Sequence, residues 1–332
     1  MLKIKNLFVA TLFLIPQFFF AQFTDVINSN RPGETMSAFA VGRSVIQAEA
    51  GVYAIKEKHD LLDYDGSGFG TDLTFRYGAF LEKLEFILDL QYQTESFNTP
   101  YTSYKKNNFR QTVLGAKYLI YDPFKNYEKK KNIYSYNANR KFDWHQLIPA
   151  VSAFAGANFV GAKNPYSFSP DATISPKIML ITQNQFAGGR WVFVTNIIAD
   201  HITTDFPSYG YVLTLTHGFN ERWSGFVENQ GFKSDFYSDA IGRVGAAYLI
   251  NPNLQVDASF SSNFKNSPSI MYGGVGVSWR YDAKYKEQQM QFKKDAKKAK
   301  DKNKLPEDPK NKKSKKEIDF QEQERKRKSQ YE

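Results

Sequence analysis

Residues 84–95 read LEFILDLQYQTE, and apolar and polar side chains alternate along them. One face would carry Leu84, Phe86, Leu88, Leu90 and Tyr92, and the other Glu85, Ile87, Asp89, Gln91 and Gln93. A period of two sustained over ten residues indicates a β-strand with one apolar and one polar face. The same pattern recurs along the chain, for example in 254–263 and 271–281, and therefore decides the fold.

The scan predicts twelve strands, near 42–57, 71–80, 84–97, 109–121, 147–160, 174–186, 191–202, 209–219, 223–233, 241–250, 254–264 and 270–281. Most have the roughly 9–11 residues that a tilted strand needs to cross a bilayer. An even strand number is typical of bacterial single-chain barrels. We predict an all-β fold, an antiparallel transmembrane β-barrel of about 12 strands over 41–282. A soluble β-sandwich also alternates, but its strands would be shorter and its exterior would not need to be apolar.

The predicted connections alternate in length. Tight turns fall at 81–83, 188–190, 220–222 and 251–253, and longer links at 58–70, 98–108, 161–173, 203–208 and 234–240. Short periplasmic turns and longer external loops are expected of such barrels. The exception is a basic and aromatic insertion at 122–146, which would lie on the periplasmic side.

The composition fits a barrel and excludes other classes. Aromatic residues make up 16% of the 332 residues, and the mean hydropathy is −0.51. A barrel tolerates this value because only alternate strand residues must be apolar. The absence of cysteine excludes disulfides, thiolate catalysis and zinc–cysteine sites.

We predict no enzyme activity, no catalytic residue, no metal and no cofactor. None of the four histidines has a nucleophile at a fixed spacing. Glu85 and Asp89 could mimic a glycosidase pair, but a water-filled wall explains them more simply. The stretch 63–68, DYDGSG, has the alternating carboxylates of a calcium loop without its later ligands, so a Gly-rich external hairpin is the preferred interpretation.

The N-terminus predicts export. Lys3 and Lys5 precede the apolar run LFVATLFLIPQFFF, and Ala21–Gln22 offers a cleavage point. We interpret residues 1–21 as a cleaved signal peptide, the alternative being an uncleaved anchor. The predicted location is the outer membrane of a Gram-negative bacterium, with outer-membrane lipid around the barrel.

The net charge of +10 is unevenly distributed. Residues 283–332 hold 18 basic and 10 acidic residues, whereas 22–282 hold 24 of each. The body lacks the basic face that nucleic-acid binding requires, so we predict no nucleic-acid partner. With few apolar residues, 283–332 should form a disordered or partly helical periplasmic tail. It is either simply solvated or docks electrostatically on anionic cell wall or an acidic periplasmic partner.

Two short motifs carry a family resemblance. Asn30-Arg31-Pro32-Gly33-Glu34-Thr35 follows the signal, and Gln47-x-Glu49-x-Gly51 lies on the first strand. Over about 25–282 the chain resembles the exported "transporter" barrels named after the MetA pathway of phenol degradation, which usually open with Asp-Arg-Pro. Here Asn30 replaces the acid. The resemblance implies an outer-membrane channel, distantly similar to the long-chain fatty-acid channel, and the signal ending FFFAQ resembles those of Bacteroidota.

Alternation places a mixed set of polar residues toward the lumen. The candidates are Glu49, Arg76, Glu85, Asp89, Gln91, Lys117, Lys177, Asp200, Glu228, Arg243, Asp257 and Arg280. Either they pair across strands, as Arg76 could with Asp89, and rigidify the wall, or some line a solute path and set its selectivity. Residues 22–40 form a periplasmic or lumenal segment, in which Arg31 could pair with Glu49 or Glu85.

We therefore predict an outer-membrane channel for passive passage of small, hydrophobic or amphipathic solutes. The alternative is a non-conducting structural or assembly component that docks a periplasmic partner or the cell wall through its insertion and basic tail.

Overall fold

The computed structural model contains one closed antiparallel barrel of twelve strands, which confirms the predicted fold class. Each strand pairs with its neighbours in sequence, and β1 pairs with β12 to close the barrel. The strands are β1 (Val45–His59), β2 (Tyr64–Gly78), β3 (Leu84–Asn98), β4 (Ser103–Tyr121), β5 (Ala150–Phe159), β6 (Ile174–Phe186), β7 (Trp191–Asp200), β8 (Ser208–Gly218), β9 (Trp223–Lys233), β10 (Ser238–Asn251), β11 (Leu254–Asn263) and β12 (Ser269–Asp282).

The structure describes residues 27–124, 127, 134, 143–161, 164–167, 173–235 and 237–282. The predicted signal peptide, most of the 122–146 insertion and the basic tail lie outside these residues. Two short 3-10 helices, Trp144–Leu147 and Ala187–Gly189, accompany the strands. Within the described part, no helix has both the length and the apolar character needed to cross a membrane.

The outer surface of the barrel is apolar, as the alternation requires. On β2, Phe69, Leu73, Phe75 and Tyr77 are exposed, while Arg76 between the last two is fully buried in the interior. Many large apolar side chains on one continuous outer wall suit a hydrocarbon surround, because lipid-facing and lumen-facing residues alternate along every strand of such barrels.

The two ends of the barrel can be told apart by the chain ends. β1 starts and β12 stops at the same end, which we call the terminal end; the opposite end is the distal end. Trp191, Trp223 and Trp279 are partly exposed at the terminal end. The rings of Trp223 and Tyr248 lie 4.8 Å apart there, and those of Trp279 and Tyr281 lie 6.1 Å apart. Aromatic belts of this kind mark the level of a membrane interface.

The predicted long links at 58–70 and 98–108 are wrong. β1 and β2 are joined by residues 60–63 alone, and β3 and β4 by 99–102, because the strands continue beyond their alternating parts. β4 reaches 19 residues. The polar stretches 64–70 and 103–108 lack an apolar face, so their strand character is not visible in the pattern.

Candidate functional site

The strand register places all twelve candidate residues on one face of the sheet, the interior face. Glu49 lies opposite Ser278, Glu85 opposite Lys117, and Glu228 opposite Arg243. The buried candidates are Glu49, Arg76, Glu85, Lys117, Glu228, Arg243, Asp257 and Arg280, and the half-buried ones are Asp89, Gln91, Lys177 and Asp200. Charged groups are rarely so buried without partners, so the interior must supply them.

Much of the interior is filled by residues 27–44, which we call the plug segment. It enters at the terminal end, where Ile27 N–H donates to the Pro252 carbonyl (2.9 Å), and leaves where Ser44 N–H donates to the Gly78 carbonyl (2.7 Å). The plug segment contains no strand or helix. Its backbone polar groups must therefore find partners on the barrel wall.

Every strand of the barrel supplies a polar contact to the plug segment. In strand order from β1 to β12 the contacting side chains are Glu49, Asp72, Glu85, Lys117, Ser152, Gln183, Asn196, Thr214, Glu228, Arg243, Asp257 and Ser278. The Asn196 amide is oriented so that its nitrogen donates to the Met36 carbonyl. The plug segment thus braces the whole circumference.

One part of the plug segment, residues 36–41, is packed into an apolar core. Ala38 is fully buried among Ile87, Phe154 and Ile181, and Phe39 and Met36 pack at the edge of this cluster. Close-packed interiors of this kind resist displacement, because every shifted atom loses contacts. We call plug residues 36–41 with β3–β7 the sealed side.

Buried charges reinforce the sealed side. Lys117 Nζ donates to the carbonyls of Ser37 (2.7 Å) and Phe39 (3.0 Å) and lies 3.1 Å from Glu85. Glu85 also accepts from Val41 N–H at 2.8 Å. Lys117 and Glu85 are fully buried, and each forms hydrogen bonds or ion pairs with the other and with the plug backbone. Buried charges are stable when they are paired and hydrogen-bonded in this way.

The predicted Arg76–Asp89 pair does not form. Arg76 binds Glu85 through Nε (2.9 Å), Glu49 through Nη1 (3.3 Å) and the Asn28 carbonyl (2.6 Å). Ile87 stands opposite Arg76, which leaves Glu85 and Asp89 as its diagonal neighbours on β3. The guanidinium turns toward Glu85 because three acceptors converge there, and Asp89 instead accepts from Thr74 and Gln111.

The other part of the plug segment, residues 28–35 with β8–β12, β1 and β2, is held by ions and hydrogen bonds. We call it the ionic side. The Arg31 guanidinium pairs with Asp72 and lies 3.3 Å from Asp257. It rests against the backbone of Gly51 and Gly276, which face each other across the β1–β12 seam. A Cβ at either glycine would occupy the place of the guanidinium.

Glu49 and Glu85, the predicted partners of the Arg31 side chain, are not its partners. Glu49 instead accepts from the Arg31 backbone N–H (3.2 Å) and the Ser29 hydroxyl (2.9 Å). The carboxylate of Glu49 is occupied by Arg76 and by the plug backbone. The Arg31 guanidinium instead pairs with Asp72 and Asp257, which lie opposite Gly51 and Gly276.

The two motifs behind the family resemblance fit each other. Gln47 donates to the Asn28 carbonyl (3.1 Å), Glu49 accepts from the backbone of Asn30 and Arg31, and Gly51 leaves room for the Arg31 side chain. The Asn30 side chain accepts from Ser37 N–H (3.1 Å) and folds the plug back on itself. Pro32 follows a cis peptide bond. Gln47, Glu49 and Gly51 share the inner face of β1 because they are two residues apart, and together they contact plug residues 28–31.

Glu228 forms the second anchor of the ionic side. Its carboxylate accepts from Glu34 N–H (3.1 and 3.2 Å) and from the hydroxyls of Thr35 (2.7 Å) and Thr214 (2.8 Å). Arg243 pairs with the same carboxylate and reaches Glu34 at 3.7 Å. These contacts hold residues 34 and 35 against β8–β10.

Gln91 stands opposite Gln111 on β4, and three further candidates form ion pairs at the two ends of the barrel. Lys177 and Asp200 pair at 3.2 Å toward the distal end, where Asn158 also donates to Asp200. Arg280 pairs with Asp282 at the terminal end. In the described part of the chain, no group of three potential metal ligands occurs.

Two cavities adjoin the ionic side. The inner cavity, about 210 Å³, lies toward the terminal end and is lined by Val192, Val194, Phe226 and Ala247 among others. The outer cavity, about 150 Å³, is more polar and is lined by Tyr53, Arg110, Tyr272 and several amide side chains. Arg31, Pro32 and Gly33 line both cavities, so the tip of the plug segment is the partition between them.

Sequence reasoning missed Arg110 in the outer cavity. Strict alternation from Lys117 points Phe109 inward and Arg110 toward lipid. A bulge between Gln91 and Tyr92 on the β3–β4 ladder pairs Gln111 with Gln91 and Phe109 with Tyr92, which reverses this order. The signal was present, because an arginine on the lipid face costs about 2–4 kcal/mol at the bilayer midplane.

Two tyrosines outside the strands complete the distal end. Tyr166 donates to the carbonyls of Gln93 and Lys106 (both 3.2 Å), and burial together with Glu95 raises its pKa above the ordinary value. Burial and the hydrogen bond to Asp239 likewise raise the pKa of Tyr237. Both phenols therefore stay protonated donors at neutral pH.

Comparison with known proteins gives a family match over residues 29–281, to "Putative MetA-pathway of phenol degradation". The chain belongs to this family. Its described residues form a closed antiparallel barrel of twelve strands. No curated protein matches the chain.

Three solved structures are similar to the chain at low identity. The COG4313 outer membrane channel from Pseudomonas putida F1 is 10% identical, with a TM-score of 0.49 over 76% of this chain and 100% of that one. KdgM porin is 10% identical, with a TM-score of 0.41 over 70% and 99%. The CymD monoaromatic hydrocarbon channel is 10% identical, with a TM-score of 0.39 over 72% and 89%.

Proposed function

We propose that the protein passes small solutes with an apolar body by diffusion, along a path through the outer and inner cavities. The observation that carries the proposal is that plug residues 31–33 line both cavities. The terminal end faces the periplasm in this proposal, since an even number of strands brings both chain ends to one side.

The contacts of the partition suit a gate. Arg31 lines both cavities, and its charge is neutralised by Asp72 and Asp257 on the barrel wall. The contacts lie beside the two cavities, where water can take the place of a hydrogen-bond partner when they open. The tip can therefore move while residues 36–41 stay packed, and a solute then crosses from the polar cavity to the apolar one.

The test is single-channel recording in planar bilayers with the protein purified from outer membranes. Arg31→Ala should raise the conductance severalfold over the wild type, because the side chain that fills the partition is gone. Arg222→Ala is the matched control, since it removes an exposed arginine from a terminal turn outside the lumen. Equal conductance of wild type and Arg31→Ala would reject the path. Silence of both would favour the non-conducting alternative.

Docking through residues 283–332 remains a proposal of its own. The excess of basic residues there predicts attachment to anionic cell wall or an acidic periplasmic partner. The full-length protein should sediment with isolated peptidoglycan at low salt and be released as salt approaches 1 M, where charges more than about 3 Å apart are screened. A chain shortened to residue 282 that sediments equally well would refute it.

A further inference from the structure

We propose that Arg110 is an anion-recognition site in the outer cavity and that the solute class is a small organic carboxylate with a flat apolar body. This inference rests on the proposed function and assigns the substrate chemistry of the same path. A bulge on β4 adds one residue to the β3–β4 ladder at Arg110. Bulges next to functional sites commonly re-aim a side chain.

The bulge turns Arg110 into the lumen rather than toward lipid. Its guanidinium reaches across the barrel from β4 to β12 and lies 3.5 Å from the Tyr272 hydroxyl and 3.3 Å from Gln93 Oε1. The side chain lines the outer cavity and is exposed to it. A donor group is thus presented to whatever occupies the cavity.

Arg110 differs from the other two arginines of the cavity in its partners. Arg31 lies against Asp72 and Asp257, and Arg243 against Glu34 and Glu228. Among the described residues, Arg110 has no carboxylate within ion-pair distance, and its hydrogen bonds go to a neutral amide and a phenol. A guanidinium with five donors and neutral partners keeps its affinity for a carboxylate, which it can bind bidentately.

Aromatic side chains supply the apolar part of the site. Tyr53 and Tyr272 meet edge to face at 6.1 Å, and the Arg110 guanidinium lies 5.9 Å from the centre of the Tyr272 ring. Phe232 and Ile241 line the same cavity from β9 and β10. A flat ring can pack against these faces while its carboxylate meets Arg110, and the cavity of about 150 Å³ limits the ligand to a small one.

The test measures binding, which does not require an open path. Benzoate and its neutral isostere benzamide are titrated by ligand-observed NMR against the full-length protein in lipid nanodiscs, with empty discs as the blank. The wild type should bind benzoate about tenfold more tightly than benzamide, because a charge-assisted hydrogen bond is about twice as strong as a neutral one. Acetate should bind more weakly than benzoate, since it lacks the ring.

Arg110→Gln should abolish the preference for benzoate and leave benzamide binding unchanged. Arg110→Lys should restore part of it, and Lys105→Gln on the outer face of the same strand should change nothing. A preference retained in Arg110→Gln, equal binding of benzoate and benzamide to wild type, or equal binding of acetate and benzoate would overturn the assignment. Gel mobility with and without heating shows that each variant is folded. Failure here leaves the conductance test untouched, so the two proposals fail separately.

Discussion

The sealed side and the ionic side hold one continuous segment by different physics. Residues 36–41 are fixed by an apolar cluster around Ala38 and by the buried Lys117 and Glu85. Residues 28–35 are fixed by carboxylates and hydroxyls, with a cavity on each face of their tip. Packing resists small displacements, whereas hydrogen bonds beside a cavity can be exchanged for water. The comparison teaches that one half anchors the plug and the other half can move.

Covalent closure of the ionic side should give the largest effect, a complete loss of conductance. Ser29 and Ser278 meet through their hydroxyls at 2.7 Å, and Thr35 and Thr214 also meet through theirs. Cysteines at all four positions, with Arg31 retained, should form two disulfides that fix both ends of the mobile tip. The chain has no native cysteine, so no native thiol competes for these four.

The recording that checks this is made before and after a reductant. Conductance should be absent when the bridges are formed and return when they are reduced, and the variants with one cysteine of each pair should conduct throughout. Full conductance with both disulfides formed would show that the tip does not have to move, and the distinction between the two sides would fail.

Loss of the sealed-side cation should give the next largest effect. Lys117→Met removes the ammonium that donates to the carbonyls of Ser37 and Phe39, and with it one partner of Glu85. Breaking a buried charge pair in this way costs about 3–5 kcal/mol of unfolding free energy. Urea unfolding in micelles, followed by tryptophan fluorescence, measures it. Lys105→Met, an exposed lysine on the same strand, should stay within about 0.5 kcal/mol of wild type; similar losses in both variants would contradict the sealed side as an anchor.

Gly51→Ala should have the smallest effect, a partial opening. The added methyl would take the place of the Arg31 guanidinium, which must then leave its seat. The conductance should rise toward that of Arg31→Ala, and the double variant should add nothing, because both changes remove the same contact. Gly273→Ala is the control on the neighbouring strand, where the new methyl meets only Phe260 at 4.0 Å. Independent, additive effects would mean that Arg31 does not act through this seat.

Alternation predicts the barrel well because the bilayer enforces it. Between lipid and lumen every second residue must be apolar, and LEFILDLQYQTE obeys this rule. Residues 64–70, YDGSGFG, are strand without the pattern, because both faces of a strand that extends beyond the bilayer can be polar. The same reasoning explains why the predicted long loops at 58–70 and 98–108 are four-residue turns.

The interior is less predictable because it depends on where the plug segment runs. Alternation assigns Glu49 and Glu228 to the lumen, but not which plug atoms reach them. The partner of Arg31 follows from the absence of side chains at Gly51 and Gly276, which are far apart in sequence and meet only in the closed barrel. Arg110 is displaced from its expected face by a single extra residue, and only the cost of an arginine in lipid reveals it.

The position of the Arg31 seat ties permeability to assembly. Its floor is made by Gly51 on the first strand and Gly276 on the last, so it exists only after those two strands have zipped together. A barrel in which β1 and β12 have not paired lacks the surface against which the Arg31 guanidinium packs. Arg31 can therefore take its position only after β1 and β12 have paired. Closure of the lumen by the plug segment thus depends on closure of the barrel wall.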